Sequence, residues 1–137
     1  MEIGDGEALA RAVEAAFPGA SIEVITEAGR FSVLMHQPGL MRPLHARELS
    51  DGTLRYLCLL AALLSPRPPP FLALNEPETS LHPDLLGPLG DLIAQVSRRT
   101  QVWVTTHAEP LARRIEDKSG RPAMRVRLEN GATVIER

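Results

Sequence analysis

The chain has 137 residues, 44% hydrophobic and 23% charged, with a net charge of −2. That length supports one domain with a core of its own, and the composition excludes a disordered chain. The near-neutral balance excludes bulk nucleic-acid binding through a polycationic surface, although fourteen of the fifteen basic residues are Arg, which leaves arginine contacts to phosphate open.

Residues 6–17, "GEALARAVEAAF", read as an amphipathic helix with Leu9, Val13 and Phe17 on one side, ended by "FPGA". The opening stretch is too charged for a signal peptide. "SIEVIT" and "RFSVLMH" read as two strands around the turn "EAGR", with Phe31, Val33 and Met35 alternating to one face. "QPGLMRPLHARE" reads as a loop.

"LSDGTLRYLCLLAALLS" predicts a helix from Asp51 to Leu64 with Ser50 as its N-cap. It is apolar on nearly every face, so burial is expected all round. Its longest apolar run, Leu57 to Leu64, is far short of a membrane span. The one cysteine, Cys58, lies inside it and reads as a small buried hydrophobe. With no disulfide framework, a reducing cytoplasm is the expected compartment.

"PRPPP" is a rigid connector. Phe71 to Leu74 is a short, wholly apolar strand of the kind found inside parallel sheets. Asp84 to Ser97 follows as a helix with a stripe of Leu85, Leu86, Leu89, Leu92, Ile93 and Val96, and Pro83 suits its first turn. "QVWVTT" is a second buried strand and "EPLARRIED" a short helix. "AMRVRLENGATVIER" is a hairpin turning at Asn130-Gly131.

From residue 50 the order is helix, strand, helix, strand, helix, hairpin, an α/β sandwich of the parallel-sheet type. Ligands of such sheets sit at the carboxyl ends of the strands. The two strands end in "NEPE" and "TTH", so both polar tips should open onto one edge.

Three elements carry chemistry. "LSDGT" (49–53) opens a helix with the Ser50 hydroxyl and Gly52, where free N–H groups and a partial positive charge suit an anion; taken alone, the segment reads first as an ordinary Ser N-cap with a Gly in the first turn. "FLALNEPE" (71–78) brings acids to the tip of a hydrophobic strand, where Glu76 could polarise a water beside a γ-phosphate and nearby oxygens could order Mg²⁺ hydration; a solvated turn is the bland alternative. "VWVTTH" (102–107) ends in His107, able to donate to a phosphate or to serve structure alone.

In this order the trio resembles the second half of an ATP-binding-cassette-like ATPase domain, in the SMC/RecF-like branch of AAA-type ATPases. The resemblance is dense from Glu48 to Leu111. It implies a P-loop NTPase-like α/β fold in partial form, with a C-terminal β-hairpin. It implies a signature at Leu49 to Thr53, with Ser50, Asp51, Gly52 and Thr53 facing nucleotide. It also implies a Walker B strand ending in the catalytic Glu76, with Asn75 and Glu76 on the Mg²⁺ shell. A D-loop would run from Thr79 to Pro83, with Ser80 at the nucleotide, and His107 would be the switch histidine. ATP and Mg²⁺ are the implied ligands. The implied assembly is a head-to-tail dimer, or a complex with a partner carrying the missing lobe. Nucleic acid enters by family analogy only, and no membrane role is implied. The chain then divides into an N-terminal helix and hairpin region (1–47), the motif core (48–117) and the C-terminal hairpin (118–137).

Two departures stand out. Asn75 replaces the usual Walker B Asp, so it offers an acceptor oxygen without charge, and Thr53 replaces the signature Gln. More seriously, G-x-x-x-x-G-K-[ST] is absent. The only lysine is Lys118, with Asp117 before it and Ala112 where the first glycine belongs. The expectation is the C-terminal part of a nucleotide-binding domain, as a truncated frame or one half of a split protein. A module that keeps the fold without binding nucleotide is the alternative. A metal site of Glu78, His82 and His107 is a third reading.

Overall fold

This computed structural model describes residues 6–136; residues 1–5 and Arg137, at the ends of the expected first and last segments, lie outside them. The first helix, α1 (Gly6–Ala16), is followed by β1 (Ser21–Glu27) and β2 (Arg30–His36). Val13 is fully buried, and Leu9 and Phe17 pack beside it against the core. The β1–β2 hairpin turns through Ala28 and Gly29, both at positive φ (48° and 75°), as a tight two-residue hairpin requires. The expected alternation of β2 is only half kept. Met35 is buried, but Phe31 is exposed, and Leu34 on the opposite face is buried too. The core reaches only the far end of this strand.

The stretch expected as a loop contains a two-residue strand, β3 (Leu44–His45), paired antiparallel with β2, and then a 3₁₀ turn, Ala46–Glu48. Side chains close this segment on itself. Arg42 grips Glu48 with two hydrogen bonds of 3.0 and 2.7 Å, and Glu48 accepts the N–H of His45 at 2.9 Å. The Arg42 hydrogen bonds, then that N–H, hold the Glu48 carboxyl down to about 2.

Helix α2 (Asp51–Leu63) begins at Ser50, whose hydroxyl accepts the N–H of Thr53 at 3.1 Å. Its all-round burial does not occur. Only Tyr56, Leu60 and Leu63 are buried, along one stripe, and Cys58 is exposed. The core lies on one side of the helix, so apolar character on the other side stays at the surface. The Tyr56 ring meets Phe17 edge-on at 5.6 Å, joining α2 to the end of α1.

After the proline connector, β4 (Phe71–Asn75) and β5 (Gln101–Thr105) pair in parallel, with Ala73 beside Trp103 and Asn75 beside Thr105. The connector is fixed to the start of β5 by the N–H of Gln101 on the Pro70 carbonyl (3.2 Å) and the Thr100 hydroxyl on the Pro69 carbonyl. Between the strands run a 3₁₀ turn, Pro83–Leu85, and α3 (Leu86–Val96); α4 (Glu109–Ser119) follows β5. Both strands were expected to be buried on both faces, but helices cover one only. Leu72, Leu74, Val102 and Val104 face the core, whereas Phe71 and Trp103 stand about half exposed on the other face. Helices α3 and α4 are clamped by a bidentate ion pair, Arg114 to Asp91, both bonds 2.7 Å. The chain ends in β6 (Arg125–Glu129) and β7 (Ala132–Glu136), a hairpin turning at Asn130-Gly131. Its sides are exposed throughout, and Arg125 ties it to Glu109 on α4 at 2.7 Å. The result is an α/β fold with a parallel sheet, and among the described residues no helix is long and apolar enough to cross a membrane.

Candidate functional site

Parallel pairing of β4 and β5 brings both polar tips to one end of the sheet. The ladder extends one residue past Asn75, since the N–H of Glu76 donates to the Thr105 carbonyl at 2.8 Å. There the chain turns abruptly. Glu76 adopts φ 45°, a left-handed conformation that costs a residue other than glycine about 1–2 kcal/mol. The turn is fixed from three directions. Pro77 is fully buried beneath it, the N–H of Thr79 returns to the Glu76 carbonyl at 3.1 Å, and Arg55 reaches from α2 to the same carbonyl at 3.2 Å. Backbone strain held in place by its surroundings is common where a side chain must be aimed.

The side chain so aimed is the Glu76 carboxylate. Its Oε1 lies 3.1 Å from Nε2 of His107, which stands just past β5. The pair is open to solvent, with Glu76 44% and His107 88% exposed, so a ligand can reach both. Beside it, the Thr105 hydroxyl donates to Oδ1 of Asn75 at 2.6 Å. The carboxamide oxygen expected at a metal hydration shell thus already accepts one bond, and its second lone pair remains.

Glu78 binds the two tips together. One oxygen, Oε1, accepts the Thr106 hydroxyl at 2.6 Å and the N–H groups of His107 and Ala108 at 3.1 and 3.3 Å. Burial pushes the Glu78 carboxyl up, but the hydrogen bonds from Thr106 and the backbone outweigh it and hold it below the usual range. Its other oxygen, Oε2, is buried with no hydrogen-bond partner. The proposed metal site of Glu78, His82 and His107 is overturned. Among the described residues no group of three His, Cys, Asp or Glu side chains could hold a metal. Glu78 is committed to the backbone, and Nδ1 of His82 accepts the Asp84 N–H at 3.3 Å.

The "LSDGT" residues form a second, separate group. Ser50 spends its hydroxyl on the cap and on Oγ1 of Thr53, 2.9 Å away, and Asp51 is exposed in the first turn. Gly52 is required by packing: a Cβ there would meet the Ser80 carbonyl oxygen at 2.5 Å. Ser80 itself sits at φ 65°. Ser50, Gly52, Thr53 and Ser80 line one open hollow of about 560 Å³, whose walls do not include Glu76 or His107. The residues read from the sequence therefore lie in two clusters, joined through Arg55 and the turn from Glu76 to Ser80. The sequence did not single out Arg55, Thr105 or Thr106, and it gave Glu78 a different role. The doubled Thr at a strand tip and the second acid in "EPE" are the only local hints.

A family model described as an AAA domain, putative AbiEii toxin, Type IV TA system matches residues 4–112. Among solved structures, an SMC ATPase studied for ATP-driven dimerization and DNA-stimulated activation superimposes with a TM-score of 0.74 at 19% identity, covering 96% of this chain and 83% of that one. An SMC head bound to the C-winged helix domain of ScpA gives 0.76 at 18% identity, covering 96% and 41%. The SMC head domain from Thermotoga maritima gives 0.65 at 26% identity, covering 96% and 46%. The chain thus spans less than half the length of the latter two, and its fold is that of SMC ATPase heads.

Proposed function

The chain belongs to the AAA-domain family, and we propose that it supplies the hydrolytic and signature side of an ABC-like ATP site, with the P-loop coming from outside these 137 residues. The observation that carries this is the Glu76–His107 pair, 3.1 Å apart and open at the carboxyl end of a parallel sheet. Glu76 takes the proton of the attacking water, and His107 donates to the γ-phosphate. Bound Mg²⁺ would neutralise charge developing on the phosphates. Glu76 and the free lone pair of Asn75 suit contact with its water shell, and the sequence's single lysine, Lys118, belongs to the last turn of α4 rather than to a phosphate-gripping loop.

The separation of the two clusters supports a composite arrangement. Ser50, Gly52, Thr53 and Ser80 border a hollow of their own and, with Asp51 in the same first helical turn, would cap the nucleotide of a second copy. The ATP-driven dimerization of an SMC ATPase of like fold supports a second copy as the partner. A DNA partner rests on that likeness alone.

A titration with Mg²⁺ and a fluorescent ATP analogue, read by anisotropy, tests this. The chain alone should show no saturable binding up to millimolar nucleotide. Adding a polypeptide that carries the P-loop lobe should create a Mg²⁺-dependent site. If that mixture stays silent although the two associate, the chain is an interaction module that keeps the fold without the chemistry.

A further inference from the structure

We propose that Glu78 is a positioning residue that sets His107 against Glu76. The proposal rests on the reading of His107 as a γ-phosphate contact. Its physical content, however, is a geometry that can be measured without nucleotide.

Glu76 and His107 belong to different turns, separated by about thirty residues of chain, and each turn ends a strand at the open edge of the sheet. Side chains on such tips are free to drift unless something fixes the backbone beneath them. Pairing of β4 and β5 fixes it only as far as the Glu76 N–H on the Thr105 carbonyl. Beyond that point, among the described residues, the backbone of the turn carrying His107 is tied to the other turn by the carboxylate of Glu78. Its Oε1 accepts from Thr106, His107 and Ala108 in succession, so the peptide on either side of the His107 Cα is held. Three donors converge on one oxygen, which a full negative charge supports better than a neutral carbonyl.

The other end of the link is as firm. Glu78 stands two residues from Glu76, with the buried Pro77 between them, and its own carbonyl accepts the N–H of Leu81 at 3.0 Å. A displacement of the Glu76 turn therefore carries the His107 turn with it. Glu78 is also an expensive choice for stability alone. Its Oε2 is buried without a donor, a desolvation cost that a smaller or apolar residue would avoid.

The test is NMR on the full chain, comparing the wild type with Glu78→Ala and Glu78→Gln. In Glu78→Ala, amide hydrogen exchange at His107, whose N–H donates to Glu78 Oε1, should quicken by at least about tenfold, while Ala108, which also donates to the Thr106 hydroxyl at 3.0 Å, changes less and Leu60, Leu92 and Ile93 in α2 and α3 keep their rates. The Nε2 resonance of His107, read at fixed pH, should lose the signature of its contact with Glu76. Glu78→Gln retains an acceptor oxygen and should restore both readouts most of the way. Unchanged exchange at His107 in Glu78→Ala would overturn the proposal. So would equal acceleration at the α2 and α3 amides, because Glu78 would then hold only the fold. So would loss of backbone protection with the His107 ring unmoved. None of these readouts requires ATP, so a failure of the ATPase reading would leave them intact.

Discussion

Replacing Gly52 with Ala sets two physical effects against each other. Gly52 is the second residue of α2, and Ala in place of Gly favours a helix by about 1 kcal/mol. The added methyl, however, would stand 2.5 Å from the Ser80 carbonyl oxygen, where a carbon–oxygen contact ordinarily needs about 3.3 Å. Either the start of α2 or the turn from Glu76 to Ser80 must yield by about 0.8 Å. Overpacking of this kind costs about 1–3 kcal/mol, so Gly52→Ala should be less stable than wild type by about 1 kcal/mol. A matched control exists in Gly87, the second residue of α3, where a Cβ would meet nothing within 4 Å. Gly87→Ala should gain about 1 kcal/mol. Urea unfolding of the two variants thus isolates the contact as a difference of about 2 kcal/mol. If Gly52→Ala proves as stable as Gly87→Ala, the close approach of α2 to the Ser80 turn does not exist.

Other perturbations follow from the same structure. Ala28 occupies a left-handed turn position, so Ala28→Gly should raise stability by about 1 kcal/mol, read from the urea midpoint. Leu111 is fully buried at the base of α4, and Leu111→Ala should cost about 2–5 kcal/mol in the same assay. Cys58 is exposed and should react with a thiol reagent in the folded protein at close to the rate of the unfolded chain. Burial, and then the charge of Asp91, push the phenol of Tyr56 up to about 12. The folded state therefore favours the protonated phenol more than the unfolded chain does. The associated stability is whole below about 10, the ordinary tyrosine value, and is lost as pH rises through about 12. Tyr56→Phe should remove that alkaline loss from the pH profile of the urea midpoint.

Much of the site was legible because its signals are local. Strand, acid, helix and strand, Thr, His are short-range patterns, and the parallel pairing they imply brings Asn75 beside Thr105. The helix cap at Ser50 is likewise written in adjacent residues. What escaped depends on distant chain. Glu78 meets Thr106 across 28 positions, and the second acid of "EPE" does not by itself say which distant donor it takes. The one-sided burial of α2 and of the β4–β5 pair escaped for a related reason. An apolar segment declares that it can be covered, while which faces are covered depends on what packs there. The same ambiguity made Cys58 read as buried. The packing demand on Gly52 also escaped, because the Ser80 carbonyl oxygen that a Cβ would strike comes from a turn 28 residues along the chain.

In the function proposed above, Glu76 performs the proton transfer of an ATP site completed by a P-loop from outside these residues. The most direct test is single-turnover hydrolysis by the assembly of this chain with the P-loop lobe, wild type against Glu76→Gln. Loss of a general base should slow the chemical step by about 10²–10⁴-fold while ATP and Mg²⁺ remain bound, so that the variant traps nucleotide. Turnover undiminished in Glu76→Gln would mean that Glu76 is not the general base.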